Sequence, residues 1–465
     1  MIPVLALLGR PNVGKSSLFN RLTGSRAALV ADVPGVTRDR RLGFARQDER
    51  DFVVIDTGGI ADDSDHLHAA ISAQALQAAR DADLIILLTD QRQGPVTGDR
   101  DIAAELRRLD RPIVVAVNKS EGLALEEATI DFHELGLGSP LAISALHGHG
   151  IQRLLTACFE ALPEDLGHPQ PARPEGVAVA VIGRPNAGKS TLINRLIGEE
   201  RLITQDEPGT TRDSIAVPFT YHGQPYTLVD TAGVRRRSRI DDRVEKFSVS
   251  QTLRTVEQAQ VVMLVIDALR GIADQDLTLL ELTLNLGRAV VIVINKWDAL
   301  TPEQRSAFTT ELDRRLKFAD FARRCHVSAL RGSGLADLMK AVARAHHHAQ
   351  RQFSTRELTD LASAFQVRTP PPMVRGRRIR IRLVHQGGRN PPTFILHGNQ
   401  TEALPDAYLR YLTNAYRSAL HIEGSPIRLI TKQGENPFRH RRNALSDRQI
   451  RRKKRERRYF QKGKH

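Results

Sequence analysis

Two stretches of this chain repeat one chemical pattern, GRPNVGKS at 9–16 and GRPNAGKS at 183–190. Each reads GxxxxGK[ST], follows an aliphatic run and opens a helical one. Glycines let backbone N–H groups approach a phosphate, and a helix start turns further N–H groups toward negative charge. Gly9, Arg10, Pro11, Asn12, Val13, Gly14, Lys15 and Ser16 therefore form one candidate phosphate cradle. Gly183, Arg184, Pro185, Asn186, Ala187, Gly188, Lys189 and Ser190 form a second. Lys15 and Lys189 should reach β- and γ-phosphates, and the hydroxyls of Ser16 and Ser190 should meet Mg²⁺.

A DxxG element follows each cradle: Asp56, Thr57, Gly58, Gly59 with Ile60 behind it, and Asp230, Thr231, Ala232, Gly233 with Val234. Asp and Gly both favour turns, so DxxG alone says little; its place at a strand end gives it meaning. There Asp56 and Asp230 should hold the Mg²⁺ shell through water. Gly59 and Gly233 can offer a backbone N–H to the γ-phosphate. Thr37 and Thr211 each lie 21 residues after the loop serine. A threonine so placed can add a hydroxyl to Mg²⁺ and close over the γ-phosphate, the order–disorder switch of a nucleotide-driven machine. Lys15, Thr37, Lys189 and Thr211 are thus the candidate catalytic residues. Many GTP-hydrolysing sites place a glutamine just after DxxG to orient water. Ile60 and Val234 cannot, so intrinsic turnover should be slow.

Base recognition separates GTP from ATP. Asn295, Lys296, Trp297 and Asp298 form NKWD. The Asp298 carboxylate can accept from guanine N1–H and the exocyclic amine together. Adenine offers no such pair, and that mismatch is worth on the order of 10⁴-fold. Asn295 can bridge to the phosphate loop, Lys296 can cover the base, and the backbone at Ser328 and Ala329 can meet O6. In the first copy Asn118, Lys119, Ser120 and Glu121 form NKSE, with Ser144 and Ala145 downstream. Glu121 keeps both acceptor oxygens but sits one methylene farther out, so guanine preference should survive with altered affinity.

These landmarks recur in one order twice, so the chain contains a duplicated domain. An offset of 174 maps GRPNVGKS onto GRPNAGKS, PGVTRD (34–39) onto PGTTRD (208–213) and DTGGI (56–60) onto DTAGV (230–234). The register then slips by three, so that NKSE (118–121) meets NKWD (295–298). Continuous aliphatic runs at 4–8, 52–56, 84–90 and 112–118 read as buried strands, as do 177–182, 226–230, 261–267 and 289–295. Segments 71–82 and 101–109 have helical spacing. The fold class is α/β twice, with mostly parallel sheets between helices. The first copy spans 1–161 and the second 177–350. Segment 162–176, with four prolines, is a linker.

The chain has 465 residues, 41% of them hydrophobic and 26% charged, which excludes a wholly disordered protein. No apolar run is long enough for a membrane span, and the N-terminus lacks the features of a signal peptide. Two distant cysteines, Cys158 and Cys325, exclude a disulfide scaffold and suit the reducing cytoplasm. Charge is segregated. Residues 351–465 hold 26 Lys+Arg against 8 Asp+Glu, whereas the first 350 hold 42 against 45. Such a basic block meets a polyanion, either nucleic acid or an anionic membrane. Two other classes fit less well. An ATP-using kinase or helicase conflicts with NKWD. A nucleic-acid binder with degenerate nucleotide sites conflicts with two intact phosphate loops. Arg235–Arg237 could contact RNA or the neighbouring domain, or form a solvated basic loop. The run His346–His348 does not share one helix face and reads as surface rather than metal site.

Tandem guanine-nucleotide motifs followed by a basic third domain resemble the bacterial EngA/Der family of ribosome-assembly GTPases. The resemblance rests on the paired GRPN[VA]GKS, PG[VT]TRD and DT[GA]G elements, on RGRRIRIRLVHQGGRNPPTFILHGN (375–399) and on NPFR (436–439). It covers nearly the whole chain; Glu121 is a departure. It implies GTP hydrolysis and a KH-like domain at 351–438; the basic tail at 439–465 is expected from its charge to be disordered alone and to order on RNA. It also implies binding to the large ribosomal subunit and its rRNA during maturation. Strands at 379–384 and 393–398 and a helix at 407–420 agree with the KH-like expectation. No GXXG loop of ordinary KH domains is present. The resemblance further implies K⁺ beside the phosphates, with Asn12 and Asn186 as ligands. Nothing points to an obligate oligomer, so a monomer is expected.

Overall fold

The computed structural model describes residues 2–24, 41–47, 50–57, 73–124, 126–163, 176–199, 216–229, 249–374 and 376–433. Thr37, Gly58, Gly59, Ile60, Thr211 and 230–234 lie outside them. So do 235–237, most of the 162–176 segment, 436–439 and the tail. The described residues form two compact units.

The first unit comprises 1–352 with segments 388–393 and 420–428. It contains two six-stranded sheets. The first has the order β2-β3-β1-β4-β5-β6. Its strands are β1 (Val4–Leu8), β2 (Arg41–Gln47), β3 (Arg50–Asp56), β4 (Leu84–Asp90), β5 (Ile113–Asn118) and β6 (Leu141–Ala142). Helices α1 (Lys15–Thr23), α2 (Ala73–Asp81), α3 (Thr97–Leu106) and α4 (Ile151–Ala161) accompany it. Every residue of β1 and β4 is buried, because both faces of the sheet are covered. Val4, Ala6, Ile85 and Leu87 fill one face, and Leu5, Leu7, Ile86 and Leu88 the other.

The second sheet repeats the plan in the order β12-β11-β10-β7-β9-β8. Its strands are β7 (Val177–Gly183), β8 (Val217–Tyr221), β9 (Gln224–Leu228), β10 (Val261–Asp267), β11 (Ala289–Asn295) and β12 (Arg323–His326). Its helices are α5 (Lys189–Glu199), α6 (Val249–Gln258), α7 (Asp274–Asn285), α8 (Pro302–Arg315) and α9 (Leu335–Gln350). Pairing is parallel except at one margin of each sheet, where β2 joins β3 and β8 joins β9 antiparallel. Those marginal strands were not read from the sequence. RLGFARQ and VPFTY mix polar residues into the run, as a strand with neighbours on one side permits. The run read as a strand at 226–230 is β9 at Gln224–Leu228 instead, ending two residues sooner. The helix read at 101–109 is α3 at Thr97–Leu106, begun earlier where the Asp99 carboxylate accepts from Val96 N–H at 3.3 Å.

The second unit holds 353–387, 394–419 and, among the described residues after them, 429–433. Helices α10 (Thr355–Arg368) and α11 (Asp406–Leu420) belong to this part of the chain. A small β13 (Met373–Val374) pairs with β14 (Arg377–Arg378), and a sheet runs in the order β15-β16-β17 (Arg380–Gly388, Thr393–Asn399, Arg428–Gln433). Ser354 caps α10 by accepting from Glu357 N–H at 3.1 Å. Gln366 on α10 both donates to the Ile381 carbonyl and accepts from its N–H, fixing helix against strand. Phe394 and Tyr416 form the aromatic core, and Tyr416 Oη donates to Leu358 O at 2.8 Å. This mixed α/β architecture agrees with the expected fold class.

Candidate nucleotide sites

Both phosphate loops link the first strand of a sheet to its first helix. Gly14 precedes α1 with φ 101°, and Gly188 precedes α5 with φ 94°. An added Cβ at Gly14 would lie 2.3 Å from Asn118 Nδ2, and one at Gly188 would lie 2.1 Å from Asn295 Nδ2. Glycine is required at both for two reasons, conformation and close approach. Asn12 and Asn186 adopt φ values of 64° and 62°, a left-handed turn that asparagine tolerates. Pro11 and Pro185 precede them. Val13 and Ala187 are buried and pin the loops to their domains.

Lys15 is buried, and its Nζ donates to the carbonyls of Gly9 at 2.8 Å and Arg10 at 2.7 Å. Burial lowers its pKa from the ordinary lysine value; Asp56 opposes that shift and Arg10 adds to it. Lys189 Nζ donates to Arg184 O at 2.8 Å. Ser16 Oγ donates to Asp56 Oδ2 at 3.2 Å, which brings two of the residues singled out for metal together. Thr57 turns away and donates to Leu7 O at 2.7 Å. Ser190 is half-buried at the start of α5.

The NKSE and NKWD segments are tied to the loops identically. Asn118 Nδ2 donates to Val13 O at 2.8 Å, and its Oδ1 accepts from Ala145 N–H at 2.9 Å. Asn295 does the same with Ala187 at 2.9 Å and Ala329 at 3.0 Å. One side chain thus staples the phosphate loop, the strand end and the downstream Ser-Ala turn. Lys119 Nζ donates to Asn12 O at 3.0 Å, and Lys296 Nζ to Asn186 O at 3.2 Å. Ser120 donates to Val117 O rather than facing outward, and Trp297 packs its ring 4.1 Å from that of His326. Ser144 and Ser328 hold their turns closed by accepting from His147 N–H and Arg331 N–H at 3.4 and 3.3 Å.

Several partners escaped the sequence reading. Asp90 at the end of β4 accepts from Lys119 at 2.6 Å, and Asp267 at the end of β10 accepts from Lys296 at 2.6 Å. Asp99 takes Arg10 at 2.8 Å, and Asp276 takes Arg184 at 2.9 Å, each while capping its own helix. Burial raises the pKa of Asp276 despite Arg184. Both aspartate pairs sit at the same offset as NKSE and NKWD. Extending that offset upstream would have found them. The carboxylates of Glu121 and Asp298 are themselves paired, with Arg92 at 2.7 Å and Arg331 at 2.9 Å.

A family model described as 50S ribosome-binding GTPase matches residues 4–119 and again 178–296. A second, described as the C-terminal KH-domain-like region of EngA bacterial GTPase enzymes, matches 352–432. The GTPase Der of Halorhodospira halophila is 51% identical over 97% of this chain and 95% of that protein. The GTPase Der of Thioalkalivibrio sulfidiphilus is 48% identical over 99% of this chain and 100% of its own. The chain belongs to the EngA/Der family of GTPases. Membership makes it a GTP-binding, GTP-hydrolysing enzyme with tandem GTPase domains and a KH-like domain. Among solved structures, Era from Aquifex aeolicus aligns at a TM-score of 0.28 with 19% identity, over 59% of this chain and 97% of that one. Among the described residues no helix is long and apolar enough to cross a membrane, and no cluster of His, Cys, Asp and Glu is arranged to hold a metal.

Proposed function

We propose that this chain is a cytoplasmic, monomeric GTPase whose nucleotide states control its association with the maturing large ribosomal subunit. The observation that carries the proposal is the segregation of charge. Two nearly neutral nucleotide domains precede a segment holding 26 Lys+Arg against 8 Asp+Glu. On the third domain Arg378, Arg380 and Arg382 are exposed in alternation with buried Ile379 and Ile381. That row and the basic tail suit rRNA phosphates, with binding weakened by salt. The description of the matching family model as ribosome-binding supports the same partner.

In each site the loop N–H groups and Lys15 or Lys189 bind the β- and γ-phosphates. Asn118 and Asn295 position the loop against the base site. Lys119 and Lys296 cover the base, and Glu121 and Asp298 accept from its N1–H and amine. Ser16 and Asp56, an oxygen pair already side by side, fit Mg²⁺, with Thr37 completing the set. Ser190, Thr211 and Asp230 play those parts in the second site. When bound, magnesium would neutralise charge on the phosphates. Asn12 and Asn186 offer side-chain oxygens for K⁺, so turnover should fall when sodium replaces potassium. Equal turnover in the two salts counts against that ligand role.

The test of the biological reading is depletion. Loss of the protein should accumulate immature large-subunit particles on sucrose gradients while small subunits mature. Normal large-subunit profiles after depletion would refute it.

A further inference from the structure

The duplication provides an internal comparison at the base-reading carboxylate. Two turns flank it in each site, and they are built alike. After β4, Arg92 N–H donates to Asp90 Oδ1 at 3.0 Å; after β10, Leu269 N–H donates to Asp267 Oδ1 at 3.0 Å. On the other side, His147 N–H bonds Ser144 Oγ as Arg331 N–H bonds Ser328 Oγ. Arg92 and Leu269 are therefore equivalent positions, and so are His147 and Arg331. The arginine has changed sides. Where the carboxylate belongs to Glu121, the guanidinium comes from the strand-end turn. Where it belongs to Asp298, the guanidinium comes from the Ser-Ala turn.

We propose that Arg92 is a positioning residue for guanine recognition in the first site, compensating the extra methylene of Glu121. The inference rests on the proposed role of Glu121 as base reader. Glutamate has one more rotatable bond than aspartate, so its carboxylate samples more positions. Arg92 Nη2 holds Oε1 at 2.7 Å. Oε2 is buried. Ser144, whose hydroxyl is the leading influence lowering the Glu121 pKa, stands on the other flank of the carboxylate, so the group stays ionised. In the second site the shorter Asp298 needs no tether from the strand side, and Leu269 stands there exposed.

The experiment is calorimetric titration of the full-length protein, second site disabled by Lys189→Ala, with GDP and with IDP, which lacks the exocyclic amine. In this background Arg92→Ala should weaken GDP binding on the order of fivefold, the scale of an exposed ion pair. IDP should weaken less, which narrows the preference for guanine. Arg92→Ala combined with Glu121→Asp should restore both values, a rescue that a merely structural role would not give. A reciprocal transplant avoids dependence on one variant: with the first site disabled by Lys15→Ala, Asp298→Glu should weaken GDP, and adding Leu269→Arg should recover it. Unchanged GDP affinity in Arg92→Ala, or absence of rescue in the double variants, overturns the proposal. If Glu121→Ala leaves GDP affinity unchanged, the base-reader role itself has failed, and the proposal falls with it.

Discussion

Asn118 and Val13, 105 residues apart in sequence, are joined by a hydrogen bond of 2.8 Å from Nδ2 to the backbone carbonyl. The same side chain accepts from Ala145 N–H at 2.9 Å. The end of the NKSE strand, the glycine-rich loop and the Ser-Ala turn are thus tied together, and Asn295 repeats the arrangement. Replacing Asn118 by alanine strands two backbone groups at residues only 1% and 2% exposed. Each should cost about 1–3 kcal/mol. Asn118→Ala should lower the melting transition and abolish first-site nucleotide binding. Calorimetry with and without GDP checks both effects, and an unchanged transition would contradict the staple.

Asp90 is 2% exposed and holds Lys119, and Asp267, equally buried, holds Lys296. If these pairs aim the lysines over the base, Asp90→Asn should weaken GDP at the first site about tenfold, near the lower end for a charge-assisted bond. Dissociation of a fluorescent GDP analogue measures it. The expected change is a faster off-rate, and Asp267→Asn should repeat it at the second site.

Gly14→Ala and Gly188→Ala each place a Cβ within 2.3 Å of an asparagine amide nitrogen. Positive φ adds roughly 1–3 kcal/mol of strain. Nucleotide binding should be lost at the altered site alone. Gly94→Ala is the control, since φ there is 65° but nothing lies within 4 Å. It should carry backbone strain and leave binding intact. Equal binding losses in all three would show that strain alone, without the asparagine contact, explains the effect.

Lys15 has a pKa below its ordinary value of 10.5, chiefly through burial. A lowered lysine destabilises the fold while charged, and that penalty is relieved as pH rises through the folded value. Phosphate favours the charged form. Nucleotide binding should therefore take up a proton at alkaline pH, and first-site affinity should fall as pH rises toward 10.5. Titrations in buffers of different ionisation enthalpy count the proton. No uptake across that range would show that Lys15 keeps its charge in the free protein.

The buried strands were legible because parallel strands covered on both faces become unbroken aliphatic runs such as LIILLTD and VVMLVID. The loops were legible because glycine, lysine and serine at fixed spacing have few other uses. Strands β2 and β8 were not, since marginal strands carry ordinary polar residues. The second layer of each site was also hidden. Asp90, Asp99 and Arg92 are common residue types whose importance comes from the side chains that fold against them. Comparison of the two copies at a common offset exposes the aspartates, whereas Arg92 meets Leu269 there. The switch threonines Thr37 and Thr211 and the Asp230 segment lie outside the described residues, and their roles rest on motif and family.

Co-sedimentation of the purified protein with ribosomal subunits, at fixed salt, tests the central claim most directly. The arms are a non-hydrolysable GTP analogue, GTP, GDP and ATP. Association with the large subunit is expected in the analogue and should be lost in GDP and ATP. Association that ignores the nucleotide and simply fades with salt would contradict it, leaving a basic RNA-binding segment attached to two GTPase domains that do not control it.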